Sequence, residues 1–420
     1  MTDRSSIAGG LAAAGLPALP RSAWLEIDLD RLRANLAAIR AALPAGVRVE
    51  PVLKADAYGH GAVPVGLALE AAGADGFSVA AFDEAVELRA GGLRGPLLCL
   101  YAIPPETVAP AMGLGLAVSA SGETALERMV EAAAAAWRGE RGPRPRRALR
   151  VHLDVETGLG RAGLDPDQLA TVAGRLRASP GVRLAGVWSH LQQADDVPRT
   201  DRQAERFAGA LVGLAEAWGR LPVRHFAASA GLLGRVVPAY DAVRIGLATY
   251  GIVPDDVSAA ATAVAPAAAL RPMLALHARP VRVADLPAGT GIGYGPSFTT
   301  ARQSRIATLP LGYGDGYPRA LSNRAQALVR GRRVPLVGNV AMDALMVDVT
   351  DVPGPPVDLD DEFVLIGSQG TETIPIEELA RLRTTNTWET VTAISRRLPR
   401  VYHAAAVPVG IRTIATWRDR

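Results

Sequence analysis

From about Val47 to Gly251 short apolar runs alternate with segments in which alanine, leucine, glutamate and arginine recur at helical spacing. The runs VRVEPVLK, GFSVA, PLLCLYAI, LAVSAS, RALRVHLDVET, LAGVWSHL, RHFAASAG and AVRIGLATYG read as strands. Between them lie helical stretches such as FDEAVELRAGG, SGETALERMVEAAAAAW and DRQAERFAGALVGLAEAWGR. Eight βα units of this length predict a parallel (β/α)₈ TIM-like barrel, an α/β fold, over residues 21–255. Residues 256–272 are rich in Ala and Pro and read as a linker. Residues 273–420 carry closely spaced strand candidates with turn residues between them, which predicts a mainly β C-terminal domain. Residues 1–20 read as a flexible N-terminal extension.

Composition narrows the function. A hydrophobic share of 49% in 420 residues supplies a sizeable core, and a formal charge of +3 is too small for a nucleic-acid footprint. The arginine-rich run Arg138–Arg150, set among Gly and Pro, reads as a solvated loop. One cysteine, Cys99, in the apolar run PLLCLY, excludes a disulfide framework and a cysteine-built metal site. The broken apolar N-terminus lacks a sustained signal-peptide core, and no stretch is long enough to span a membrane, so a cytoplasmic enzyme is expected.

Among 45 Lys+Arg residues there is one lysine, Lys54, in VLKADAYGHG. Arginine meets every other need for a basic side chain. An amine, unlike a guanidinium, can lose its proton and attack a carbonyl. Lys54 falls at the C-terminal end of the first barrel strand, the rim where barrel chemistry is built. Arg161, His190, Ser229 and Arg244–Gly246 fall at the ends of the fifth to eighth strands. Barrels often bind phosphate on the loops after their last two strands, where Ser229, Gly246 and Leu247 lie. A lysine across the mouth from a phosphate site points to pyridoxal 5′-phosphate held as a Schiff base.

These motifs also carry a resemblance. VLKADAYGHG, TGLGRAG, VWSHLQQAD, VRIGLATYG, GYGPSF, LGYGDGYPR and VGNVAMDALMVD, in that order from about Trp24 to Tyr402, resemble the alanine racemase family of barrel-class pyridoxal-phosphate enzymes. The resemblance implies that Lys54 holds the cofactor and acts as a base on one face of the substrate Cα. Tyr294, from a partner subunit's β domain, serves the opposite face. His190 and Arg161 match residues that favour its phenolate, Arg161 also facing the substrate. Arg244 matches the arginine opposite the pyridine nitrogen, and Tyr58, Ser229, Gly246 and Leu247 match the phosphate site. Met342 and Asp343 match the partner's substrate-carboxylate contacts, and Tyr313 lines the entrance. The family implication is a head-to-tail homodimer with composite sites, making D-alanine as a peptidoglycan precursor.

Three departures from the family pattern stand out. Asp154 occupies a position where many members carry a carbamylated lysine, and is expected to supply the carboxylate itself. Ala228 and Ala341 replace a common asparagine and a frequent cysteine. Arg396 stands where many relatives have a phosphate-binding tyrosine that narrows the entrance. These leave open a racemase of another small amino acid such as serine, a decarboxylase of the same class, or a pyridoxal-phosphate-binding protein without turnover.

Overall fold

The computed structural model describes residues 7–140, 142, 144–414 and 417–419, the last three by backbone only. They form two compact units, Leu32–Ala57 with Ala62–Arg271, and Met1–Arg31 with Tyr58–Gly61 and Pro272–Arg420.

In chain order the first strands are β1 (Ala23–Asp28), β2 (Arg48–Pro51), β3 (Phe77–Val79), β4 (Leu97–Cys99), β5 (Ala117–Ala120), β6 (Leu149–Asp154), β7 (Val182–Trp188), β8 (Val223–Ala228) and β9 (Ala242–Ile245). Strands β2 to β9 each coincide with one of the eight apolar runs. They form one parallel sheet in the order β2-β9-β8-β7-β6-β5-β4-β3. A parallel bridge from Val52 to Ser78 and the bond from Leu53 N–H to Ser78 C=O, 2.8 Å, close it between β2 and β3. The strands are short and β-branched or aromatic, with Val49, Phe77, Val79, Val118, Val151, Phe226 and Val243 fully buried. Helices between them have clear start and stop chemistry. The Val197–Trp218 helix opens on Asp196, whose side chain accepts from Arg199 N–H, and the Glu123–Arg138 helix ends on Gly139 at φ +81°.

The second unit is mainly β. Strand β1 pairs antiparallel with Leu274–Ala278 and parallel with Arg400–Ala404, inside a sheet of the C-terminal segments. A separate antiparallel sheet joins Arg282–Leu286, Ser304–Leu309 and Leu345–Asp348.

Two readings of the N-terminal third are corrected here. Residues 21–31 group with the C-terminal strands rather than with the barrel, because β1 finds its ladder partners there. Residues 7–20 are not a loose extension. Ile7–Ala13 is helical, and Ile7, Leu11 and Leu16 pack with Trp24, Val401 and Ile411. The spacing of Ile7 and Leu11, four apart, puts both on one helix face, and that face is what becomes buried. Residues 1–6 lie outside the described residues. In 256–272, Ala259–Thr262 forms a short helix, Ala267 and Leu270 are buried, and Asn35 bonds both backbone polar groups of Arg271. Those contacts anchor the segment at Ala267, Leu270 and Arg271, while residues 258–260 and 263–265 are exposed, as the linker reading expects.

Candidate active site

Lys54 follows β2 at the C-terminal rim of the barrel and begins an unusual turn. Ala55, Asp56, Ala57 and Tyr58 all have φ between +52° and +57°, a left-handed helical turn built without glycine. Such backbone costs about 1–2 kcal/mol per residue. Specific bonds hold it: Ala55 N–H donates to Glu84 Oε1 at 2.6 Å, Ala57 N–H to Leu53 C=O at 2.8 Å, and Ala62 N–H to Asp56 Oδ1 at 2.8 Å. Strain of this kind persists where the surroundings over-determine it, and it marks functional segments. Burial, then the nearby Arg161 and Arg244, lower the Lys54 amine below the ordinary lysine range. Both act against its charged form.

Arg244, in β9, is buried at the barrel centre. Its Nη1 contacts His225 Nδ1 at 2.6 Å and donates to His225 C=O at 3.0 Å; its Nη2 donates to Ser189 C=O at 2.7 Å. Its guanidinium lies over the Trp188 ring, 4.4 Å from the centroid, and Nη2 is 3.5 Å from His190 Nδ1. Burial brings its pKa down to about 10, so it remains charged at neutral pH. His190 is pushed down to about 3 by burial and then by the charges of Arg244, Arg161 and Lys54. It is therefore a neutral imidazole, which acts through hydrogen bonding rather than as a positive charge.

Ser229, at the end of β8, accepts at Oγ from Gly246 N–H at 3.0 Å and from Ala248 N–H at 3.4 Å. The hydroxyl thereby draws the loops after β8 and β9 together, with Leu247 between the two bonded amides. Clustered amides and a hydroxyl at this rim suit a phosphate. Ala228 ends β8 immediately before Ser229. Asp154, buried at the end of β6, is pushed up to about 7 by burial, against the opposing pull of Arg244 and Arg161. No ion pair joins Asp154 to Arg161, whose guanidinium instead lies over the Tyr101 ring at 5.5 Å. With one methylene, the aspartate side chain is shorter than the modified lysine it was expected to replace.

The other candidates belong to the second unit. Tyr294 is 79% exposed in the Gly-rich loop, Met342 52% and Tyr313 45%. One turn organises them. Asn339 Nδ2 donates to the carbonyls of Tyr294 and Gly295, while Tyr313 N–H and Gly314 N–H donate to the carbonyls of Ala341 and Met342. Gly312 must lack a side chain, since a Cβ there would lie 2.0 Å from the Ala341 carbonyl oxygen. Asp343 pairs with Arg397, which also reaches Asp315 at 3.4 Å. Arg396 is exposed between the Thr387–Thr392 helix and the Arg400–Ala404 strand. Tyr58, the last residue of the left-handed turn, is buried.

Reasoning from the sequence missed His225, His152, Trp188, Tyr101 and Glu84. The signal for His152 was available: Arg150, His152 and Asp154 alternate along β6, a polar face in a strand that should be apolar on both sides. The part played by Glu84, about 100 Å of extended chain away from Lys54, needs tertiary structure.

Residues 27–254 match the family model for the alanine racemase N-terminal domain, and residues 273–402 that for the alanine racemase C-terminal domain. The alanine racemase of Symbiobacterium thermophilum is 44% identical over 387 residues, covering 91% of this chain and 97% of that protein. That of Syntrophobacter fumaroxidans is 38% identical, covering 90% and 97%. The crystal structure of alanine racemase from Bacillus anthracis with bound L-Ala-P superposes with a TM-score of 0.86 at 32% identity, covering 95% of this chain and 99% of that one. The enzyme from the D-cycloserine producer Streptomyces lavendulae gives 0.82 at 35%, covering 92% and 98%. With both domain models matched and identity this high over nine-tenths of its length, the chain belongs to the alanine racemase family.

Proposed function

We propose that this chain interconverts L- and D-alanine with pyridoxal 5′-phosphate at the C-terminal rim of the barrel. The observation that supports the reading most is the conjunction, on one rim, of a sole lysine with a desolvated amine and a Ser229-centred cluster of amides. The residues fit the cofactor: Lys54 would hold it covalently, Ser229 with the backbone of Gly246 and Leu247 its phosphate, and Arg244 its pyridine nitrogen. Tyr58 and Arg396 are proposed as further phosphate contacts. When bound, pyridoxal phosphate supplies an electron sink for the pair released at Cα.

The chain's own residues supply the rest. Burial and the neighbouring arginines favour the free-amine form of Lys54, the form that takes the Cα proton from one face. Tyr294 of a second copy of the chain returns a proton on the other face. Its exposure together with Met342 and Tyr313 around one turn supports a site completed by dimerisation. Arg244 keeps its own proton, and so would leave the pyridine nitrogen unprotonated, tempering the electron sink and limiting side reactions. Arg161, Met342 and Asp343 would bind the substrate carboxylate, with Tyr313 at the entrance. Asp154 stands near Arg161 without a direct pair, and no lysine is present there to be carbamylated, so activity is expected to be independent of bicarbonate.

Chiral chromatography of the protein supplied with pyridoxal phosphate, after incubation with L-alanine or L-serine, tests this reading. D-alanine formed fastest by the wild type and not by Lys54→Ala supports it. Conversion of serine in preference to alanine would move the assignment to Arg396 and Ala228, and gas release without racemisation would replace it by decarboxylation. Mixing Lys54→Ala with Tyr294→Phe, each inactive alone, should restore activity if sites are shared between subunits.

A further inference from the structure

The polar residues of the barrel interior continue below the rim. Residues two apart in a strand face the same side, so Arg48 and Glu50 share one side of β2, and Arg150, His152 and Asp154 share one side of β6. Between the two ends runs a chain of contacts. Arg244 can only donate, so His225 Nδ1 accepts, its proton sits on Nε2, and Nε2 donates to His152 Nδ1 at 2.8 Å. The chain is built in: a Cβ on Gly186 would lie 2.2 Å from His152 Nδ1, so glycine makes room for that ring.

His152 is also part of the wall of a cavity of about 660 Å³ at the N-terminal end of the strands. Four arginines line it, Arg48, Arg150, Arg183 and Arg220, against two carboxylates, Glu50 and Asp75. Glu50 neutralises Arg48 within the wall at 2.7 Å, while Asp75 is committed elsewhere, to Arg40 at 2.7 Å and to Val49 N–H at 2.8 Å. Among the described residues no carboxylate pairs with Arg150, Arg183 or Arg220, and Arg150 Nε is buried without a hydrogen-bond partner. The N-terminal end of a barrel ordinarily serves stability. Like charges gathered around one cavity, with a buried donor left over, work against stability. They suit an anion, for which guanidinium groups are the preferred partners. The cavity lies within the range of roughly 300–1,000 Å³ typical of small-molecule sites, and its Leu97, Leu98 and Val223 wall is apolar.

We propose that this cavity binds a small phosphoryl-bearing anion on Arg150, Arg183 and Arg220, at the opposite end of the barrel from Lys54. The apolar wall favours an organic phosphate over inorganic phosphate.

Calorimetric titration of the full chain, purified with pyridoxal phosphate, tests this with ATP, inorganic phosphate and adenosine as separate probes at low ionic strength. Saturable binding of ATP or of phosphate, absent for adenosine, is expected, and the tighter of the two identifies the source. Arg183→Gln/Arg220→Gln, at exposed positions, should weaken binding at least tenfold while leaving basal racemase activity unchanged; Arg150→Gln should weaken it further. No saturable binding by either anion overturns the proposal. So does binding that the double variant leaves unaltered, which would assign the anion to the other rim.

Discussion

Arg244 Nη1 meets His225 Nδ1 at 2.6 Å inside the barrel, and that contact fixes the tautomer of a histidine in no direct contact with solvent. His225→Phe keeps a ring beside Trp188 and removes the acceptor. The loss of a hydrogen bond to a buried charge should cost about 1–3 kcal/mol. Urea unfolding of the purified protein measures this; an unchanged midpoint would mean that the carbonyls of Ser189 and His225 satisfy Arg244 alone.

Acid should destabilise the fold through its histidines. His152 and His190 are depressed from 6.5 to about 3, His152 mainly by burial. Their contribution is present above pH 6.5 and is lost as pH falls toward 3, because the unfolded chain then binds protons that the native one refuses. Asp154 works in the opposite sense. Its carboxyl, raised from 3.8 to about 7, contributes most below pH 3.8 and loses that contribution as pH rises through 7. Asp154→Asn should therefore steepen the loss of stability from pH 6.5 downward, as read from denaturant midpoints across that window. A shallower acid slope in the variant would contradict the assignment.

Two glycines should respond in opposite ways to alanine. Gly186→Ala drives a methyl into His152, an overpacking that typically costs 1–3 kcal/mol. Gly174, within the Leu169–Ala178 helix, has open space around a Cβ. Gly174→Ala should stabilise by about 0.5–1 kcal/mol. Thermal melts of the two variants should move in opposite directions.

The turn after Lys54 should respond to backbone chemistry. Ala55→Gly relieves a left-handed residue and should raise stability by about 1 kcal/mol. Ala57→Val places a β-branched side chain at φ +53° in a fully buried position and should destabilise by more than that. Paired melts with the cofactor absorbance recorded alongside would show whether the turn's geometry or only its stability changes.

Much of the fold was legible along the chain. The eight barrel strands announce themselves because parallel strands buried on both faces must be apolar, and the helices between them keep a different period. The lone lysine was legible because every other cation in the sequence is arginine, so its presence needed a chemical reason. The assignment of β1 was not legible: Trp24 and its neighbours make an apolar strand that could join either sheet, and only long-range pairing with Leu274–Ala278 and Arg400–Ala404 decides. The packed helix at Ile7–Ala13 was hidden for the same reason, since its small apolar face gains meaning only from Val401 and Ile411. The sequence by itself determined which residue types stand at strand ends. Tertiary structure alone decided that Asp154 and Arg161 stay unpaired, that Glu84 braces the turn after Lys54, and that Arg244, His225 and His152 join in one chain. Those relations depend on side-chain reach across strands far apart in sequence, which local periodicity does not encode.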